Sequence, residues 1–80
     1  MTKSEVLEIF CSTDRFLTPD SVGRRLRQFR RRTSVYSYLL RLSRQGLLER
    51  VRVGTRLAYR LTPRGVARLR YFRERRENDR

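Results

Sequence analysis

Three consecutive arginines, Arg30, Arg31 and Arg32, lead into a stretch with hydroxyl residues at Thr33, Ser34 and Ser37 and further arginines at Arg41 and Arg44. A guanidinium group is always charged near neutral pH. Its planar fork of donors matches both phosphate oxygens and the O6/N7 edge of guanine, so these residue types are suited to nucleic-acid contact. If the segment is a helix turning by ~100° per residue, Val35, Tyr38, Leu39 and Leu42 share one face, while Thr33, Ser34, Ser37, Arg41 and Arg44 share the opposite one. One side is suited to burial and the other to a polar partner.

Catalytic chemistry has little to work with. There is no histidine, the single cysteine (Cys11) sits in a largely apolar segment, and no pair of carboxylates falls on one face for acid–base or metal work. No catalytic residue, metal-ligand set or cofactor is therefore assigned.

Charge points the same way as the arginine motif. The formal net charge of the 80 residues is +13, carried almost wholly by arginine, which implies an anionic polymer as partner. The field is uneven. Lys3 and Arg15 face Glu5, Glu8, Asp14 and Asp20 in the first quarter, whereas between Ser21 and Arg73 the only acid is Glu49. Scarcity of lysine also fits coding bias or a hot habitat, so roughly half of the arginines are assigned to ordinary solvated surface. A lone cysteine cannot form an intramolecular disulfide, and there is no signal peptide, long apolar run or lipidation motif. The expectation is a soluble cytoplasmic protein with no membrane partner.

The elements that would position these residues follow in order. A chain of this length makes one domain, burying roughly 60–65% of its unfolded surface. Thr2-Lys3-Ser4-Glu5 has capping-box spacing and predicts a helix over 3–12. Its apolar arc, from Val6, Leu7, Ile9, Phe10 and Cys11, is wider than one core contact needs. Thr18-Pro19 starts a second helix over 19–29, with Val22, Leu26 and Phe29 as its buried stripe and Arg24, Arg27 and Gln28 outward. The third helix spans 33–45 and stops at Gly46. Period-two alternation over 48–61 predicts a β-hairpin around Gly54. A three-residue tip, Gly54-Thr55-Arg56, pairs Val53 with Leu57 and Val51 with Tyr59, and places Arg50 opposite Arg60, a repulsion that a polyanion would relieve. Thr62-Pro63 starts a fourth helix over 63–74, with Val66, Leu69 and Phe72 on one stripe, Ala67 and Tyr71 on another, and a frayed tail over 75–80.

Helix, short extended segment, two helices joined by a tight turn, hairpin, helix is the order of the winged helix-turn-helix family, an α+β fold. Thr33-Ser34-Val35 through Leu42 and then Gln45 to Arg50 carry the strongest local match. The Leu-Xaa-Xaa-Xaa-Gly-Leu-Leu-Glu-Arg phrase from Leu42 to Arg50, followed by the basic hairpin and Leu61-Thr62-Pro63-Arg64-Gly65, resembles the small MarR- and PadR-type transcription regulators over nearly the whole chain. The metal-ligand set of some ArsR-type relatives has no counterpart here. The resemblance implies a sequence-specific double-stranded DNA-binding regulator with its third helix in the major groove. Ser34, Tyr36, Ser37 and Arg41 would then face the bases. Arg24, Arg27, Arg30, Arg31, Arg32, Thr33 and Arg44 would hold the backbone. Arg50, Arg52, Thr55, Arg56 and Arg60 would form the wing, with Arg56 at its tip suited to a narrow minor groove. Tyr38 and Tyr59 are expected in the core. The surplus apolar faces of the terminal helices suggest a homodimer through Leu7, Phe10, Cys11, Ala67 and Tyr71. RNA binding is the alternative, since the electrostatics do not distinguish duplex types. A protein-interaction module is the third reading.

Overall fold

The computed structural model describes residues 1–78. Its elements are α1 (Lys3–Cys11), α2 (Pro19–Arg25), α3 (Arg32–Arg44), β1 (Leu48–Val53), β2 (Arg56–Leu61) and α4 (Pro63–Asn78). The architecture is α+β, with helices packed around a core to which the base of an antiparallel hairpin is joined. Val6, Leu7 and Phe10 of α1, Val22 of α2, and Val35, Leu39 and Leu42 of α3 meet Leu47, Leu48, Tyr59 and Leu69 in that core. Each fully buried side chain of this kind contributes roughly 1.5–3 kcal/mol.

Helix α1 begins where Thr2 Oγ1 accepts the Glu5 N–H at 3.2 Å. The second half of the expected capping box does not form. The Glu5 carboxylate instead accepts the backbone N–H of Arg27 at 3.2 Å. That bond bears on where α2 ends. In a continuing helix the Arg27 N–H would donate to the Gly23 carbonyl, which here accepts the Leu26 N–H at 3.4 Å. Leu26 turns to extended geometry (φ −70°, ψ 145°), and the chain leaves the helix four residues before the expected end at Phe29. A helical glycine and closely spaced arginines at 24, 25 and 27 also weaken continuation. Leu26 still packs partly on the core, but Phe29, expected on the buried stripe, is 88% exposed.

Between α1 and α2, Leu17 and Tyr59 exchange backbone hydrogen bonds of 2.8 Å in both directions, which ties this connection to β2. Helix α3 closes with a Schellman motif. The Leu47 N–H donates to the Leu42 carbonyl and the Gly46 N–H to that of Ser43, each at 3.0 Å, with Gly46 at φ 80°. Thr62 then joins this stop to the start of α4. Its hydroxyl donates toward the carbonyls of Gly46 (2.7 Å) and Leu47 (3.0 Å) and accepts the Gly65 N–H at 3.0 Å. A Cβ at Gly65 would collide with the Leu47 carbonyl oxygen and come within 2.7 Å of Leu61 Cδ1. The buried side of α4 accordingly runs Gly65, Leu69, Phe72, and Val66, expected there, is turned to solvent. Helix α4 continues through residues 75–78, where fraying was expected; residues 79 and 80 of that expected tail lie outside the described range.

The hairpin register differs from the expected one. Val53 pairs with Arg56, Arg52 with Leu57, Arg50 with Tyr59 and Glu49 with Arg60, so the loop has two residues, Gly54 and Thr55. Gly54 at φ 63° followed by a residue of negative φ has the φ signs of a type II′ turn, which matches the right-handed twist of paired strands. Arg50 therefore does not face Arg60. Arg60 Nη2 donates to Glu49 Oε2 at 2.9 Å, and its guanidinium carbon lies 4.7 Å from the centre of the Phe16 ring. Burial is confined to the base of the hairpin, so nearer the tip turn geometry and the cross-strand charge pair decide the register.

Leu7 and Phe10, assigned to a dimer surface, are 0% and 1% exposed in the chain's own core. The wide apolar arc of α1 is used largely within the monomer, where α1 also meets α4. Arg73 Nε and Nη2 grip the two carboxylate oxygens of Glu8 at 2.9 and 2.8 Å. The Glu8 hydrogen bonds, and then its charge, raise the Arg73 pKa further above its ordinary value.

Candidate nucleic-acid interface

Helix α3 has two faces of opposite character. Val35, Leu39 and Leu42 are buried, while Ser34, Ser37, Arg41 and Arg44 form an exposed stripe at helical spacing with Thr33 and Tyr36 beside it. Among the described residues, Arg41 and Arg44 have no hydrogen-bond or ion-pair partner. Tyr38 lies at the edge of the core as expected; partial burial raises its phenol pKa above 10.0, against the opposing charge of Arg41. Tyr59 is in the core itself.

The N-terminal end of α3 is open. Arg31 is its cap residue, makes no side-chain cap hydrogen bond, and is followed by no acid in the first turn. The Ser34 and Val35 N–H groups both donate to the Arg31 carbonyl, at 3.0 and 3.2 Å. The N–H groups of Arg32 and Thr33 have no intramolecular acceptor among the described residues, and they point along the positive end of the helix dipole. Thr33, expected at the helix boundary, thus lies inside the first turn.

The arginine triplet divides into three roles. Arg30 donates within its own loop, to the Phe29 carbonyl at 3.4 Å and Gln28 Oε1 at 3.3 Å. Arg32 Nε pairs with Asp20 Oδ1 at 3.1 Å across to α2, with both side chains substantially exposed. Arg31 has no partner among the described residues. Arg24 donates to Ser21 Oγ at 3.2 Å. Arg24, Arg30 and Arg32 come together at the rim of a depression of about 530 Å³ between α2 and α3, in which Phe29 forms one wall. Arg27 and Arg30, with Arg25, border a second hollow of about 480 Å³ against α1.

The wing arginines stand apart from these. Arg50, Arg52 and Arg56 are exposed on the strands, and Thr55 is in the loop. Arg60 is committed to Glu49 and Phe16. Of the terminal-helix surface, Cys11, Ala67 and Tyr71 remain exposed, with Arg68 and Arg75 stacked near the Tyr71 ring, each at 5.8 Å. Arg73 Nη2 lies 3.8 Å from Cys11 Sγ. Sequence periodicity missed Phe29 as a surface residue; its signal was an aromatic with arginines on both sides.

Two helices joined by a six-residue connection (26–31), longer than the tight turn expected because α2 ends early, with a further helix on each side and a basic hairpin after the second, define a winged helix-turn-helix. The solved structure of a possible transcriptional regulator for arsenical resistance has the same fold. It superposes with a TM-score of 0.66 at 23% sequence identity, covering 86% of this chain and 68% of the other. No protein-family model matches the chain, and no curated protein matches it in sequence. Among the described residues no helix is long and apolar enough to cross a membrane, and no three potential metal-ligating side chains are grouped.

Proposed function

We propose that residues 1–80 form a single DNA-binding domain that recognises a double-stranded sequence and acts as a non-enzymatic transcription regulator in the cytoplasm. The observation that carries this reading is the outer face of α3, which leaves Ser34, Ser37, Arg41 and Arg44 exposed and the two arginines unpartnered. In the major groove, Ser34 and Ser37 are small enough for close approach, Tyr36 stands at their flank, and Arg41 reaches a guanine edge in bidentate fashion. Arg31, Thr33 and the open N–H groups of α3 meet a phosphate, with Arg24, Arg27, Arg30, Arg32 and Arg44 along the adjoining backbone. Arg52, Thr55 and Arg56 of the wing contact the neighbouring minor groove or backbone, with Arg50 behind them. Arg60, held by Glu49, contributes less.

Homodimerisation through the outward side of α4, with Ala67, Tyr71 and the adjacent Cys11, would set two α3 helices about 34 Å apart on successive turns of DNA. Sedimentation at high micromolar concentration tests this. A monomer there would remove the dimer and leave the DNA reading intact.

Selection from a random duplex pool, followed by titration against the selected duplex and an RNA duplex, tests the function. The expected result is a defined DNA motif bound more tightly than RNA; no motif together with tighter RNA binding would overturn it.

A further inference from the structure

The depression between α2 and α3 holds a feature that backbone contact alone does not use. Phe29 stands on its wall 88% exposed, whereas Phe10 is 1% exposed and Phe16 and Phe72 are partly covered. Pro19 and Val35, both buried, floor the depression, and open space remains around Gly23. Arg24, Arg30 and Arg32 line the depression together with one acid, Asp20, which is paired with Arg32 at 3.1 Å and so leaves Arg24 and Arg30 as the excess positive charge. The loop is also tied at several points, by Glu5 to the Arg27 N–H at 3.2 Å and by the Arg30 bonds to Phe29 and Gln28. An aromatic presented this way beside several guanidinium groups fits a planar, apolar group that carries its own negative charge.

We propose that this depression takes an unstacked nucleobase, with Phe29 as its stacking platform and Arg24 and Arg30 on the flanking phosphates. The inference rests on the nucleic-acid reading above and goes beyond it, because a fully stacked duplex offers no free base face. The reach is adequate. Two residues separate Phe29 from Arg32, the first residue of α3, and the three residue steps span up to ~10 Å, against a major groove about 12 Å wide, so with α3 centred in the groove Phe29 reaches the flanking strand. An aromatic there stacks on a displaced base or holds a kinked step open.

Equilibrium binding of wild type, Phe29→Ala and Phe29→Trp to four probes tests this: a matched duplex, the same duplex with a single-nucleotide bulge, adenosine monophosphate, and phosphatidylglycerol vesicles. Because Phe29 is outside the core, the alanine variant is expected to fold. The expected result is wild-type preference for the bulged duplex, reduced roughly 5- to 100-fold by Phe29→Ala and kept by Phe29→Trp. Phe29-dependent binding of adenosine monophosphate would support the same site and assign it to free nucleotides as well. Equal wild-type affinity for bulged and matched duplexes, or equal weakening of both by Phe29→Ala, would overturn the inference while leaving duplex recognition standing. Phe29-dependent binding to the bulge without matched-duplex binding would support the inference and overturn the duplex reading. Binding to no probe would overturn both, and Phe29-dependent binding only to phosphatidylglycerol vesicles would assign the aromatic to lipid and overturn the inference.

Discussion

The two ends of α3 are built in opposite ways. At the C-terminal end each carbonyl that the Schellman motif or Thr62 can reach is bonded, Gly46 supplies the left-handed residue, and Gly65 lets α4 pass against the Leu47 carbonyl. At the N-terminal end the cap position is an arginine without a side-chain cap bond, the first-turn N–H groups are open, and the loop before them exposes Phe29. An uncapped helix start forgoes about 1 kcal/mol that a serine or aspartate would supply. The difference separates two constructions: one end fixes α3 relative to the wing and α4, and the other carries no such ties and is the end that the proposed function gives to a phosphate.

Substitutions can break that contrast. The largest effect is expected from Gly65→Ala, where the new methyl group forces α4 away from the Leu47 carbonyl, destabilising the fold by about 3 kcal/mol in chemical denaturation. Thr62→Val removes a helix cap and a hydroxyl that serves two carbonyls, and should cost about 2 kcal/mol by the same measurement. At the other end the sign reverses. Arg31→Asp supplies a cap and an acid at the positive end of the helix dipole, and should stabilise by about 1 kcal/mol, raising Tm by about 5 °C. The same change should weaken duplex binding, and Arg31→Ala should flatten the log–log salt dependence by about 0.9. If Arg31→Asp stabilised the protein without weakening binding, the open end would have no functional role. The smallest effect concerns Tyr38. Its pKa is raised in the folded state, so its contribution is fully present below 10.0 and is lost as pH rises through the folded value. Stability measured above pH 10 should therefore fall less steeply in Tyr38→Phe.

The well-fixed end was also the legible one. Gly46 and the Thr62-Pro63 start are local signals whose bonding partners lie nearby, and the two-faced pattern of α3 reflects a core deep enough to enforce periodicity. What the sequence concealed depended on competition between distant groups. The Val22-Leu26-Phe29 spacing continued α2 on paper, but the Glu5 carboxylate holds the Arg27 amide and Phe29 is turned outward. The hairpin register went the other way for a related reason. Only Leu48, Ala58 and Tyr59 of the strands are buried, so alternation at Val51 and Val53 had little core to answer to, and the Glu49–Arg60 pair with a glycine-first turn prevailed. Leu7 and Phe10 were read as surplus because the area that one small core demands from α1 is not visible from its wheel alone.

The central claim is that the outer face of α3 reads base sequence while the arginines at its start only hold the backbone. Parallel selections from one random duplex pool with wild type, Arg41→Ala and Arg31→Ala test it most directly. The account predicts that Arg41→Ala changes or loses the preferred base at one position of the selected motif, and that Arg31→Ala retains the whole motif at lower affinity. An unchanged motif with Arg41→Ala would contradict it.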